Sequence, residues 1–257
     1  MIVRKTPEEI ENMAESGAIV ARCLKMLRAK CRAGTTTREL DVAAEKLIRG
    51  LGATPAFKGY RGFPASICAS PNAMVVHGIP DDRKLERGDL LSIDVGVEYE
   101  GWIGDAAITV PLRPASKVST ALLKATREAL ELGVEQCRPG NRLGDIGHAV
   151  QSRVEADGFS VIRSLVGHGI GREMHEEPQV PNFGEPGRGP VLQEGMVLCV
   201  EPMVCTGGQD VRIGEDNWAV YSSDGSLTAH FEHTIAITAN GPRVLTPWHR
   251  KEERVAA

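Results

Sequence analysis

The sequence predicts an α+β protein of two similar halves, roughly residues 1–110 and 111–257, each a helix pair followed by strands. Three observations point there. Helical periodicity opens behind capping signals, one stretch of sequence returns later in the chain, and eight strand-like runs include neighbours joined by a tight turn.

Thr6-Pro7-Glu8-Glu9 is a capping box with proline at the first helical position, and Ile10, Met13, Ala14, Val20, Leu24 and Leu27 follow at helical spacing. A first helix is therefore expected over 7–30. Thr36 with Glu39 repeats the signal, and Leu40, Ala43, Ala44, Leu47 and Ile48 carry a second helix to about Gly52. Cys31-Arg32-Ala33-Gly34 then returns as Cys137-Arg138-Pro139-Gly140, an offset of 106 residues, with Leu40 matching Ile146, Ala44 matching Val150 and Gly52 matching Gly158. Residues 119–136 supply the helix preceding the second copy. Strands are expected at 66–70, 74–76, 90–97, 103–110, 161–165, 196–204, 218–221 and 230–238. Hairpins among them make the sheet largely antiparallel.

Composition narrows the class. Of 257 residues, 42% are hydrophobic and 25% charged, with no low-complexity tract, so one globular domain over 1–257 is expected. A net charge of −4 gives no electrostatic footprint for nucleic acid or an anionic membrane. The charged N-terminus lacks the apolar core of a secretory signal, and no run approaches a membrane span, so a cytoplasmic location is expected. Six cysteines without a C-x-x-C pair read as reduced, small apolar residues.

Asp94 and Asp105, eleven residues apart, interrupt apolar strand-like runs. If Glu98-Tyr99-Glu100-Gly101 turns the chain, the two become directly opposed partners on one face. Carboxylates about 5 Å apart repel by roughly 3 kcal/mol at an effective dielectric near 20, so a proton or a cation must intervene, and a divalent metal is the simplest cation. Glu201 and Glu232 interrupt two further strand-like runs in the same way. Gly167-His168-Gly169-Ile170-Gly171 adds an imidazole, with His175 seven residues on, among glycines that allow close backbone approach. Arg172 spoils a dinucleotide-binding glycine pattern, and Gln179, four after His175, excludes a zinc-protease H-E-x-x-H. His77 lies where a strand exits to a loop.

The ordered set Asp94, Asp105, His168, Glu201 and Glu232 resembles the metal site of the methionine aminopeptidases, pita-bread metallopeptidases of family M24. Its motifs are HGIP at 77–80, IDVGVEYEGWIGDAAIT at 93–109, GHGIGREMHEEPQVPN at 167–182, EPMV at 201–204 and EHTIAIT at 232–238. The resemblance covers nearly the whole chain and implies helix pairs related by a pseudo-two-fold axis, packed on a curved, largely antiparallel sheet. It implies two divalent ions, of cobalt, manganese, iron or zinc, with Asp105 and Glu232 bridging, Asp94 on one ion and His168 with Glu201 on the other. The implied reaction removes an initiator methionine from a new polypeptide whose second residue is small, by a hydroxide bridging the metals. Glu201 is then the general acid/base, His175 stabilises the tetrahedral intermediate and His77 orients the peptide. The implied methionine pocket is Phe57, Tyr60, Phe63, Cys68, Met174 and Trp218. Phe63 stands where many relatives have tyrosine, and Met174 where the best-known bacterial members have phenylalanine.

Only 25 residues separate His175 from Glu201, too few for the helical insertion of the second type, which favours the short first type. The nearest enzymatic rival is a proline-directed peptidase of the same fold, such as aminopeptidase P or prolidase, which usually carries an extra N-terminal domain. A rival of another class is a metal-free binding protein on this fold, which would have lost ligands that are all present here. The expected partners are nascent polypeptide N-termini, with any ribosome contact transient. No nucleic acid or membrane is expected, and a monomer is the expected state.

Overall fold

The computed structural model describes residues 1–249, so the last stretch of the expected second half, 250–257, lies outside the described residues. Among the described residues, α1 Pro7–Lys30 and α2 Thr37–Gly50 start where the capping signals put them, α3 Lys117–Glu135 lies close to the helix expected over 119–136, and α4 Leu143–Ala156 falls where the repeat places a second copy of α2. At both Thr6 and Thr36 the hydroxyl accepts from the backbone N–H three residues on, and the glutamate there accepts from the cap's own N–H. The offset of the repeat carries the bounds of α2 onto those of α4. It also carries Gly34 (φ 90°) onto Gly140 (φ 92°), and Gly52 (φ 78°) onto Gly158 (φ 77°). Left-handed backbone at matched positions explains why glycine recurs there. None of the described helices is long and apolar enough to cross a membrane.

Among the described residues every strand pair is antiparallel, in four hydrogen-bonded sheets. The first half is built on the hairpin of strands Leu90–Tyr99 and Trp102–Pro111, flanked by Cys68–Pro71 and Thr54–Pro55. α1 packs on this hairpin through Met13, Val20, Leu24 and Leu27, all without exposed surface. Each such side chain contributes about 1.5–3 kcal/mol by leaving water. The approach is close: a Cβ on Gly104 would lie 2.9 Å from the Gly17 nitrogen, so glycine at 104 lets helix and strand touch beside Asp105.

The structure corrects three expectations. The hairpin turns on Glu100 (φ 51°) and Gly101 (φ 77°), one residue later than expected, so Tyr99 pairs with Trp102. Asp94 therefore opposes Ala107, and Asp105 opposes Gly96. The aspartates are diagonal rather than directly opposed, and a displacement of two leaves them on one face. The expected strands 196–204 and 230–238 are each broken, into Val197–Val200 and Met203–Cys205, and Thr228–His230 and His233–Thr238. Pro202 has no N–H to continue a ladder. Strand 161–165 shrinks to Ser160–Val161, while Gly167–Gly169, Glu176–Val180, Val211–Ile213 and Gly241–Val244 form strands too short or too glycine- and charge-rich to be legible by alternation.

The two broken strands face each other. Val200 pairs with His233 and Met203 with His230, so Glu201 and Glu232 sit at matching places in one interruption. That interruption is filled from the other half. The Glu232 N–H donates to the Ala107 carbonyl at 3.0 Å. The Thr234 hydroxyl donates to the Asp105 carbonyl (2.7 Å), and the Thr109 hydroxyl donates to the His230 carbonyl (2.8 Å). This seam joins the two halves and fixes the backbone of two acidic residues, Asp105 and Glu232.

Candidate metal centre

Asp94 and Asp105 come from the hairpin, Glu201 and Glu232 from the paired strand breaks, and His168 from the centre of strand Gly167–Gly169. All five line one cavity of about 290 Å³ at the seam. Asp105 and Glu232 are 4% and 2% exposed, and ligand atoms of Asp105, His168 and Glu232 lie within 4.8 Å of one another. His168 Nε2 stands 3.5 Å from Glu201 Oε1.

Acids so gathered resist ionisation. Burial pushes Asp94 up to about 7 and holds Asp105, Glu201 and Glu232 well above the ordinary carboxylate range, and each of those three is raised further by its acidic neighbours. Asp94 Oδ1, Asp105 Oδ1 and Glu232 Oε1 are buried without a hydrogen-bond partner among the described residues. Unpaired buried carboxylate oxygens are costly, and a divalent cation among them would remove both the repulsion and the vacancy in their bonding. The residues fit a metal. His168 is prepared likewise: its Nδ1–H donates to the Gly169 carbonyl at 2.9 Å, leaving the Nε2 lone pair facing the acids. Burial lowers its pKa and keeps the ring neutral. The oxygen-rich set suits a divalent transition ion without selecting one.

The remaining predicted residues border the same cavity. Phe57, Phe63, Cys68 and Met174 share one buried apolar cluster, with Tyr60 and Trp218 packed against it. Phe63 and Trp218 meet edge-on, ring centres 5.1 Å apart. The Tyr60 hydroxyl lies 2.8 Å from His175 Nδ1, and the His175 ring is 4.3 Å from that of His168. Burial, with the neighbouring His168 imidazole second, lowers His175 to about 4, so its ring is neutral at pH 7. His77 follows strand Met74–Val76 with φ 60°, and burial lowers its pKa.

The family follows from comparison. The model of metallopeptidase family M24 matches residues 11–239. The chain belongs to metallopeptidase family M24. Among M24 relatives, a methionine aminopeptidase of Clostridium acetobutylicum is 50% identical over 247 residues, spanning 96% of this chain and 99% of that one. A methionine aminopeptidase structure from Thermotoga maritima superposes with a TM-score of 0.94 at 46% identity, covering 96% of this chain and 99% of that one. One from Rickettsia prowazekii gives a TM-score of 0.94 at 39% identity, covering 96% and 100%. The M24 pita-bread fold is thus the fold of this chain, and its antiparallel sheets and four helices agree.

Sequence reasoning missed two residues at this M24 site. Cys199 Sγ falls in the group with Asp105, His168 and Glu232, and His230 groups with Glu201 and Glu232. Each stands two residues before an acidic ligand candidate, the period that shares a strand face, and that spacing was the available signal. The glycines of Gly167-His168-Gly169 also serve differently from expectation. A Cβ on either would collide with a neighbouring strand's carbonyl, Cys199 O or Glu177 O, so they admit backbone to backbone rather than backbone to ligand.

Proposed function

We propose that this chain removes the N-terminal methionine from new polypeptides with a small second residue, as a metal-dependent aminopeptidase of the first, short type. One observation carries the reading: buried acids with unpartnered oxygens converge with His168 at one end of a cavity whose other walls are aromatic and sulfur-bearing. Asp94, Asp105, His168, Glu201 and Glu232 would hold two divalent ions of cobalt, manganese, iron or zinc, with Asp105 and Glu232 serving both. When bound, such ions supply positive charge that brings the pKa of water toward neutrality and polarises a carbonyl.

The chain's own residues do the rest. Phe57, Phe63, Cys68, Met174 and Trp218 receive the methionine side chain, where sulfur–aromatic contacts contribute about 0.3–1.5 kcal/mol each. Glu201, whose affinity for a proton is raised by burial, would be ionised beside the bound cations, accept a proton from the attacking water and return it to the leaving amine. With the Tyr60 hydroxyl donating to Nδ1, the His175 ring carries its hydrogen on Nε2, which donates to the scissile carbonyl oxygen as charge develops there. His77 orients the peptide from the facing wall. Since the cavity takes residues from both halves, the chain acts as one catalytic unit over 1–257.

Six free cysteines support work in the reducing cytoplasm. The enzyme acts there as a monomer, and the timing of its substrate implies no more than a transient meeting with the ribosome. The deciding experiment compares release of the first residue from Met-Ala-Ser and Ala-Pro-Ala by chelator-stripped protein given manganese, iron(II), cobalt or zinc. Metal-dependent cleavage of Met-Ala-Ser is expected. Preference for Ala-Pro-Ala would replace the substrate, and activity indifferent to metal would remove the mechanism.

A further inference from the structure

Met174 and His175 sit on the loop between strands Gly167–Gly169 and Glu176–Val180, and one carboxylate ties that loop together. Glu176 accepts through Oε1 from the N–H groups of Arg172 (3.0 Å) and Glu173 (3.4 Å), and through Oε2 from the Lys5 ammonium (2.5 Å). Lys5 comes from the segment ahead of α1 and is 6% exposed. Its backbone N–H donates to the Gly195 carbonyl at 2.7 Å, which fixes the segment that delivers the ammonium. The packing leaves no slack: a Cβ on Gly171 would lie 2.5 Å from Glu176 Oε1 and 2.6 Å from Lys5 Cε. The Gly171 carbonyl in turn accepts from the Ile103 N–H at 2.9 Å, on the hairpin that carries Asp105. Neither Lys5 nor Glu176 borders the cavity. A carboxylate held in so little water is costly without its cation, so Lys5 is what keeps Glu176 turned onto the loop.

We propose that Lys5 and Glu176 are positioning residues for the reaction, an ion pair through which the N-terminal segment holds His175 at the angle that aims its Nε2 at the scissile carbonyl oxygen. The inference rests on the proposed role of His175 and extends it to two residues that touch no substrate. Without the Lys5 ammonium, the Glu176 carboxylate turns toward water and the N–H groups of Arg172 and Glu173 lose their acceptor. The loop then relaxes, and the His175 ring leaves the Tyr60 hydroxyl. Glutamine at 176 fails for a different reason. Its amide has one accepting end and one donating end, so its NH₂ must face either the Lys5 ammonium or the two backbone N–H groups. A misplacement of about 1 Å at a reacting centre costs up to about 10²-fold in rate.

The test places Lys5→Met and Glu176→Gln in the full chain and again in His175→Ala, and measures Met-Ala-Ser turnover by Co²⁺-loaded protein. Each substitution alone is expected to lower kcat about 10- to 100-fold with KM and bound metal little changed. In the His175→Ala background the same substitutions should add no further loss, because the residue they position is gone. A second readout needs no turnover: in Zn²⁺-loaded protein labelled with ¹⁵N-histidine, the His175 Nδ1 resonance should move in both variants toward its value in Tyr60→Phe. If Lys5→Met does not fold, Glu176→Gln, which keeps the shape of the side chain, carries both measurements. Parental kcat in the variants, a kcat loss repeated in full on His175→Ala, or an unmoved Nδ1 resonance overturns the positioning role alone. Failure of the parent protein to cleave Met-Ala-Ser with Co²⁺ overturns the reading of the site beneath it.

Discussion

Gly96 lies opposite Asp105 and two residues beyond Asp94, so it shares their face of the hairpin and borders the proposed methionine pocket. A Cβ at this position would stand 2.6 Å from Phe57 Cε1 and 2.9 Å from Met174 Cε. Carbon atoms rest at about 3.5–4.0 Å, so the ring and the thioether must each retreat by about 1 Å, into space the substrate side chain would use. Overpacking of this kind costs about 1–3 kcal/mol. Where that cost falls on the substrate complex, Gly96→Ala lowers kcat/KM about 5- to 150-fold for Met-Ala-Ser. Bound metal, measured by elemental analysis of the same preparations, should not change, since the ligands stay where they were. Part of the cost that appears in the fold instead would be read as a lower urea midpoint. A variant with parental kcat/KM and parental urea midpoint would refute the crowding argument and with it the placement of the pocket over Gly96.

Other outcomes follow from the same geometry. Asp105→Asn or Glu232→Gln, each deleting a charge assigned to both ions, should lower metal content below one ion per chain; parental content and activity would refute the bridging roles. His175→Ala should keep its metal and lose about 10²–10³ in kcat with little change in KM, the loss typical of a donor to developing charge. In metal-free protein, Asp94, Asp105, Glu201 and Glu232 hold protons in the folded state that the unfolded chain releases near pH 4, so the stability they confer is present at low pH and is lost as pH rises through their raised values. The histidines with lowered pKa act in the opposite sense, but only below about pH 6.5, the ordinary histidine value, at which the unfolded chain takes up protons. From about pH 7 to about pH 8.5 the urea midpoint of metal-free protein should therefore fall relative to that of Mn²⁺-saturated protein, and a constant difference would contradict the burial of these acids.

What was legible by itself was local or periodic. Capping boxes at Thr6 and Thr36 set helix starts, matched glycines exposed the repeat, and acidic residues within apolar runs marked a centre that solvated carboxylates could not explain. Such features are encoded over a few residues, where propensity and capping chemistry act without tertiary help. The hairpin register was misjudged by one turn position because Glu100 takes a left-handed conformation, uncommon for that residue, beside Gly101. Only tertiary structure decided that Glu201 and Glu232 stand opposite each other in one interrupted ladder, that Thr109, Ala107 and Asp105 close that gap, and that His230 joins the acids. These pairings bring together residues that are distant in sequence. Nothing in the spacing of one strand reports which other strand will satisfy its broken hydrogen bonds, because that is settled by burial of the whole seam at once.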